Sequence, residues 1–199
     1  MGRESEKSTP RPLRADAQRS RDALLEAALA VFATSGVDAP VREIAERAGV
    51  GVATLYRSFP QRADLIAAVF QREIDACADA APILAAEHEP GEALTKWIER
   101  YLDFLATKRG LATALHSGDP AYETLPAYFS QRLEPALRGL LDAAGTAGTV
   151  RTDISAGDIL FAVASLCAYA PRQGPDHAAR MVALFIDGLR YGGRPIHPL

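Results

Sequence analysis

Cysteine is scarce in this chain: Cys77 and Cys167 are the only two among 199 residues. That excludes a disulfide framework and suits a reducing compartment, each thiol reading as a small buried hydrophobe rather than a nucleophile. The cysteines and the histidines His88, His116, His177 and His197 lack any zinc-ligand spacing, so no metal and no cofactor is expected. Long apolar runs are also missing. The longest nearly pure one, Ile159 to Ala170, is too short to cross a bilayer, so no membrane partner is expected. The opening residues MGRESEKSTPRPLRADAQ hold no apolar core for a signal peptide, and Glu6 stands where a myristoylation pattern needs Ser or Thr. A cytoplasmic protein is the expectation. No stretch alternates apolar and polar residues as a half-buried strand would. Nor is there a strong charge of one sign: the net charge is -3 and the pI about 5.8.

What is present is helical periodicity and a composition, 48% hydrophobic and 24% charged, that buries a substantial core. The fold class expected is all-α. Residues 1–17 are polar, proline-bearing and basic through Arg3, Lys7, Arg11 and Arg14, the composition of a disordered tail. From Arg19 to Thr34, Leu25, Ala28, Leu29 and Phe32 recur at helical spacing, and Gly36 closes that helix. Ile66, Phe70, Ile74 and Cys77 mark a long connecting helix from Arg62 to Ala80. Pro82 and Pro90-Gly91 then break the pattern, which places a domain boundary there: residues 18–80 form one domain and 81–199 another. The second holds a helix carrying Trp97, Tyr101 and Leu105 that ends near Lys108, a short run from Leu111 to His116, and a helix from about Tyr122 to Ala144. Ser155 with Asp158 three residues on is an N-cap signal for Ile159 to Tyr169, and a last helix spans Asp176 to Tyr191.

The stretch Val41 to Arg62, VREIAERAGVGVATLYRSFPQR, reads as two short helices about a glycine turn. Ile44, Ala45 and Ala48 give the first an apolar face, Gly49 ends it, Leu55 points the second inward and Pro60 stops it. Two short helices joined through such a turn are the sequence form of a helix-turn-helix, whose second helix enters the DNA major groove. Charge agrees in sign: up to Phe70 there are ten Lys/Arg against nine Asp/Glu, and after it twelve against sixteen. Gly49-Val50-Gly51 begins like a nucleotide-binding fingerprint, but Thr54 replaces its last glycine and no strand precedes it. No nucleophile, base and orienter assemble from spacing, so the chain is not read as an enzyme.

The residues Glu43-Ile44-Ala45, Ala48-Gly49-Val50, Thr54-Leu55-Tyr56, Phe59 and Arg62 resemble the TetR family of bacterial transcriptional regulators, and the region from Thr107 to Asp158 is loosely similar to SbtR-like regulatory domains. The resemblance implies a three-helix DNA-binding domain followed by a helical effector-binding and dimerisation domain. It implies that Arg42 reaches a guanine, that Val52 and Ala53 meet base edges beside Gly51, that Thr54, Tyr56 and Arg62 hold phosphates, and that Arg57 and Ser58 do either. Pro40 stands where many members have a Thr hydroxyl.

For the second domain, Trp97, Tyr101, Phe104, His116, Tyr122, Phe129 and Phe161 combine apolar walls with polar tips and are candidates to line a small-molecule pocket. Val163, Leu166, Cys167, Val182, Phe185, Ile186 and Leu189, on the last two helices, are candidates for a dimer interface, because a monomer would leave those wide apolar faces wet. The expected partners are double-stranded operator DNA, a second copy of the chain and an unidentified small effector. The resemblance thus implies a homodimeric repressor that a ligand releases from a palindromic operator. The alternatives are an activator or ligand-independent regulator of the same fold, or an all-helical enzyme or interaction protein with a structural helix-turn-helix.

Overall fold

The structure, a computed structural model, describes residues 11–115, 117–168 and 176–191. Among these residues it holds eight α-helices and no strand: α1 (Arg11–Ser35), α2 (Val41–Arg47), α3 (Val52–Ser58), α4 (Arg62–Glu87), α5 (Pro90–Leu115), α6 (Leu125–Thr146), α7 (Ala156–Ala168) and α8 (His177–Tyr191), with a 3-10 turn at Pro120–Tyr122. Contacts divide the chain into two units, residues 1–69 and 70–199. The helix α4 changes unit between Val69 and Phe70, earlier than the boundary expected near residue 80.

In the first unit α1 packs on α2 and α3, and α2 packs on α3. The apolar periodicity explains why: Leu24, Ala28, Val31 and Phe32 of α1 meet Ile44 and Ala45 of α2 and Leu55 of α3 in one buried core, completed by Phe59 and Leu65. Each such fully buried large side chain contributes about 1.5–3 kcal/mol. The turn between α2 and α3 has a physical cause in Gly49, whose φ is +69°. That left-handed conformation lets Gly49 N–H donate to Glu46 and Val50 N–H to Ala45, closing the orphan carbonyls of α2. The start of α4 is fixed by Asp64, whose carboxylate accepts from the Gln61 amide at 2.9 Å.

The second unit is built on α5, which packs against α6 and α7, while α8 packs on α7. Trp97, Ile98, Leu133, Leu137, Ile159 and Val163 are fully buried at its centre. Ser155 and Asp158 form the expected cap: the Asp158 amide donates to Ser155 Oγ at 3.1 Å, and the Ser155 amide donates back to the Asp158 carboxylate at 3.3 Å. Arg190 of α8 donates to Thr95 Oγ1 at 2.8 Å and to the Gly91 carbonyl at 3.3 Å, tying the end of α8 to the start of α5. The approach is close there: a Cβ on Gly91 would sit 2.9 Å from Thr149 Oγ1 and force that side chain to shift.

Several expected helix limits are corrected. Arg11 to Ala17 belong to α1 rather than to a disordered tail; residues 1–10 lie outside the described residues. α4 runs through Pro82 to Glu87, because a proline removes one backbone donor and a long helix with buried neighbours such as Ala78 and Ala81 tolerates that loss. Pro90 starts a helix instead of breaking one, the first turn being where a missing N–H is harmless. α5 also runs unbroken past Lys108 to Leu115, so the helix expected to end there and the short run after it are one.

Candidate functional site

The α3 helix buries only Leu55. Ala53, Tyr56 and Arg57 are exposed, and Val52, Thr54 and Ser58 are half-buried, so the residues expected to meet DNA lie on the outward side of a helix anchored from beneath. Tyr56 is 49% exposed, which excludes packing under the helix as its role. Gly51, with an extended backbone, precedes α3, and its carbonyl accepts the first bond of the helix from Thr54 at 2.9 Å. Arg57 lies back along α3, donating to the Ala53 carbonyl at 3.3 Å and to Thr54 Oγ1 at 3.1 Å. These exposed bonds are readily exchanged for a phosphate or a base edge.

Arg42 stands exposed on the first turn of α2. Its Nε donates to Glu46 Oε1 at 2.7 Å, and that hydrogen bond, with the carboxylate's charge, holds the guanidinium above its ordinary pKa. Arg42, Tyr56, Gln61 and Arg62 line one groove of about 350 Å³ floored by Leu55, Phe59 and Leu65. Arg62 is placed differently from expectation. Its guanidinium donates to the carbonyls of Val37 and, at 2.6 Å, Ala39, so it braces the α1–α2 loop from a half-buried position. In this arrangement Arg62 braces the motif, because a loop between two helices leaves carbonyls that need donors.

Arg21 was invisible to spacing. It lies on α1, with its guanidinium carbon 4.4 Å from the centroid of the Phe59 ring, and it donates to the Ser58 carbonyl at 3.2 Å. A cation there satisfies the C-terminal end of α3, where the helix dipole is negative. No local pattern marks it, since its hydrogen-bond partner Ser58 lies 37 positions away and Phe59 follows directly after.

In the second unit a cleft of about 350 Å³ is lined by Phe70 of α4, Leu115 of α5, Tyr122 of the 3-10 turn, and Leu125, Pro126, Phe129 and Ser130 of α6. Of the pocket candidates, Tyr122 and Phe129 are in this wall; His116 lies outside the described residues. Trp97 and Tyr101 are corrected to core residues. The Trp97 indole donates to the Cys77 carbonyl at 2.9 Å, and the Tyr101 hydroxyl donates to the Leu160 carbonyl at 3.3 Å. Phe104 is buried behind the cleft, its ring centroid 5.5 Å from that of Phe70 and 6.1 Å from that of Phe129. Phe161 is 76% exposed, on the rim of a separate cavity. Leu125, Pro126 and Ser130 were missed although they are helical neighbours of Phe129, and Phe70 was read only as part of a core stripe.

Among the dimer candidates, Val163, Cys167, Val182, Ile186 and Leu189 are buried within one chain and offer a partner no surface, which corrects the expectation for them. They bind α7 and α8 to the rest of the unit. Leu166 and Phe185 are half-buried, and the same helices expose Phe161 and Leu184.

Residues 24–69 match the family described as bacterial regulatory proteins, tetR family, and residues 89–191 match the C-terminal domain of SbtR-like transcriptional regulators. The TetR transcriptional regulator SCO0520 of Streptomyces coelicolor is 40% identical, with a TM-score of 0.73 over 85% of this chain and 98% of its own. The chain belongs to the TetR family. A TetR transcription regulatory protein of Mycobacterium vanbaalenii is 37% identical, with a TM-score of 0.70 over 90% of this chain and 99% of that one. The HTH-type transcriptional repressor KstR of Mycolicibacterium smegmatis is 42% identical over 76 residues, 36% of this chain. That match spans 37% of the repressor's length, little more than a third. Within a TetR-family chain, α2 and α3 are the helix-turn-helix, and no helix among the described residues is long and apolar enough to cross a membrane.

Proposed function

We propose that this TetR-family regulator is a homodimeric repressor of the bacterial cytoplasm that grips a palindromic operator and leaves it when a small molecule enters the second unit. It acts by binding rather than as an enzyme. The observation that carries the reading is the outward side of α3, which offers Ala53, Tyr56 and Arg57 while Leu55 alone is fully buried. In a dimer two such helices about one helical turn apart, roughly 34–36 Å, meet successive major grooves. Thr54, Tyr56 and Arg57 supply phosphate contacts, and Arg42 the base contact, after exchanging Glu46 for a guanine.

Release follows if the ligand favours a conformation with wrongly spaced recognition helices. The cleft of about 350 Å³ supports this reading, being apolar apart from the hydroxyls of Tyr122 and Ser130 and within the size range of small-molecule sites. Its wall includes Phe70 of α4, the helix that begins at Arg62. The dimer is proposed to form across α7 and α8 through Phe161, Leu166, Met181, Leu184 and Phe185, the large apolar side chains those helices leave exposed or half-covered. Fluorescence anisotropy with DNA from upstream of the chain's own gene tests the reading. Tight binding that weakens steeply with salt and exceeds binding to random DNA is expected. Equal affinity for both sequences would sink it.

A further inference from the structure

The ring of Phe129 lies between two cavities. On one side is the cleft of about 350 Å³ with Phe70, Tyr122 and Leu125; on the other is a cavity of about 250 Å³ with Leu105, Glu134, Leu160 and Phe161. Phe129 and Ser130 line both. The ring is half-buried and held by other rings rather than by polar bonds, its centroid 6.2 Å from that of Tyr101 and 6.1 Å from that of Phe104. An aromatic side chain so placed turns aside with no hydrogen bond to break.

We propose that the two cavities are halves of one ligand channel and that Phe129 is the partition that sets the length of the apolar molecule it accepts. This rests on the reading of the second unit as a ligand-binding domain. The linings also limit the ligand. Phe70, Leu115, Leu125 and Pro126 wall the first cavity, and Leu105, Leu160 and Phe161 the second, so most of the molecule's length must be apolar. Ser130 brings a hydroxyl to both, and the Glu134 carboxylate of the second repels an anion. The ligand class is therefore an elongated, uncharged, largely apolar molecule.

The test displaces an uncharged phenylnaphthylamine dye from the full-length protein with straight-chain alkanols from hexanol to hexadecanol. Each methylene that enters an apolar channel strengthens binding about fourfold, and the gain stops where the chain outgrows the space. In Phe129→Ala the stopping length is expected to move to longer alkanols, and in Phe129→Trp to shorter ones; Phe129→Leu replaces the alanine variant if that one fails to fold. Normal dye binding with the same stopping length in every variant overturns the partition and leaves the ligand-binding reading intact. Failure of the dye and of every alkanol to bind the wild-type protein overturns both.

Discussion

The Arg62 guanidinium, at the first position of α4, donates to the carbonyl of Ala39 at 2.6 Å and also to that of Val37. A cation with two backbone acceptors in the helix-turn-helix unit holds the loop that delivers α2. Hydrogen bonds from a charged group contribute about 1.5–3 kcal/mol each, less when partly solvated. Arg62→Ala is therefore expected to lower stability by about 2 kcal/mol, roughly 4–8 °C in melting temperature. The slope of log affinity against log salt should be unchanged for the folded variant. A slope reduced by about 0.9 per subunit would instead make Arg62 a phosphate contact.

Gly49 and Gly51 stand two residues apart, and a Cβ at either meets nothing within 4 Å. Only Gly49 has a positive φ, +69°. Gly49→Ala is expected to cost about 1–2 kcal/mol through backbone strain alone, with part recovered in Gly49→Asn. Gly51→Ala should stay within about 1 kcal/mol of the parent in a denaturant titration yet bind operator more weakly, because its added methyl stands where α3 approaches DNA. Equal melting of the two variants would refute the role given to Gly49.

What the sequence made legible was local. Gly49, Leu55 and the Ser155–Asp158 cap are signals whose partners lie within a few residues, and each helix they bound is present. Interior prolines misled, because Pro82 reads as a breaker where burial of Ala78 and Ala81 carries the helix past it. At the site, the outward residues of α3 followed from the position of Leu55. Arg21 and Arg62 did not, since their partners, Ser58 and Phe59 for one and Val37 and Ala39 for the other, are fixed only by the packing of α1, α2 and α4. Apolar faces on α7 and α8 were legible too, but periodicity does not tell a face covered by the same chain, as at Val163 and Val182, from one left open, as at Leu184.

Arg42 and Glu46 pair across one turn of α2, both exposed. To read a guanine, Arg42 must leave that carboxylate. Arg42→Ala is expected to lose roughly tenfold discrimination at one base position of each half-site while retaining binding to random DNA. Glu46→Gln, which removes the competing charge, should bind operator more tightly than the parent at low salt, the advantage shrinking as salt screens it. Measuring both variants on a set of single-base operator substitutions checks this; a uniform loss across all positions for Arg42→Ala would reduce it to a phosphate contact.

Burial in the second unit pushes the Cys77 thiol up to about 12 from an ordinary 9.0. The consequence for stability has a definite sign. Below pH 9 both folded and unfolded chains keep the proton, and nothing is lost. Above it the unfolded chain releases the proton while the folded chain holds it, so stability falls as pH rises until the folded thiol itself ionises near 12. From pH 8 to pH 10 this one group removes about 1.4 kcal/mol. The Tyr101 hydroxyl, also raised by burial, adds a loss of the same sign that begins only near its ordinary 10.0. Urea unfolding at pH 8 and pH 10 should therefore show a smaller drop for Cys77→Val than for the parent, by about that amount. The native thiol should also resist iodoacetamide at pH 8 and react once urea exposes it. Rapid alkylation of the folded protein, or equal drops in the two chains, would show that Cys77 is not sealed in the core beneath Trp97, whose indole donates to the Cys77 carbonyl at 2.9 Å.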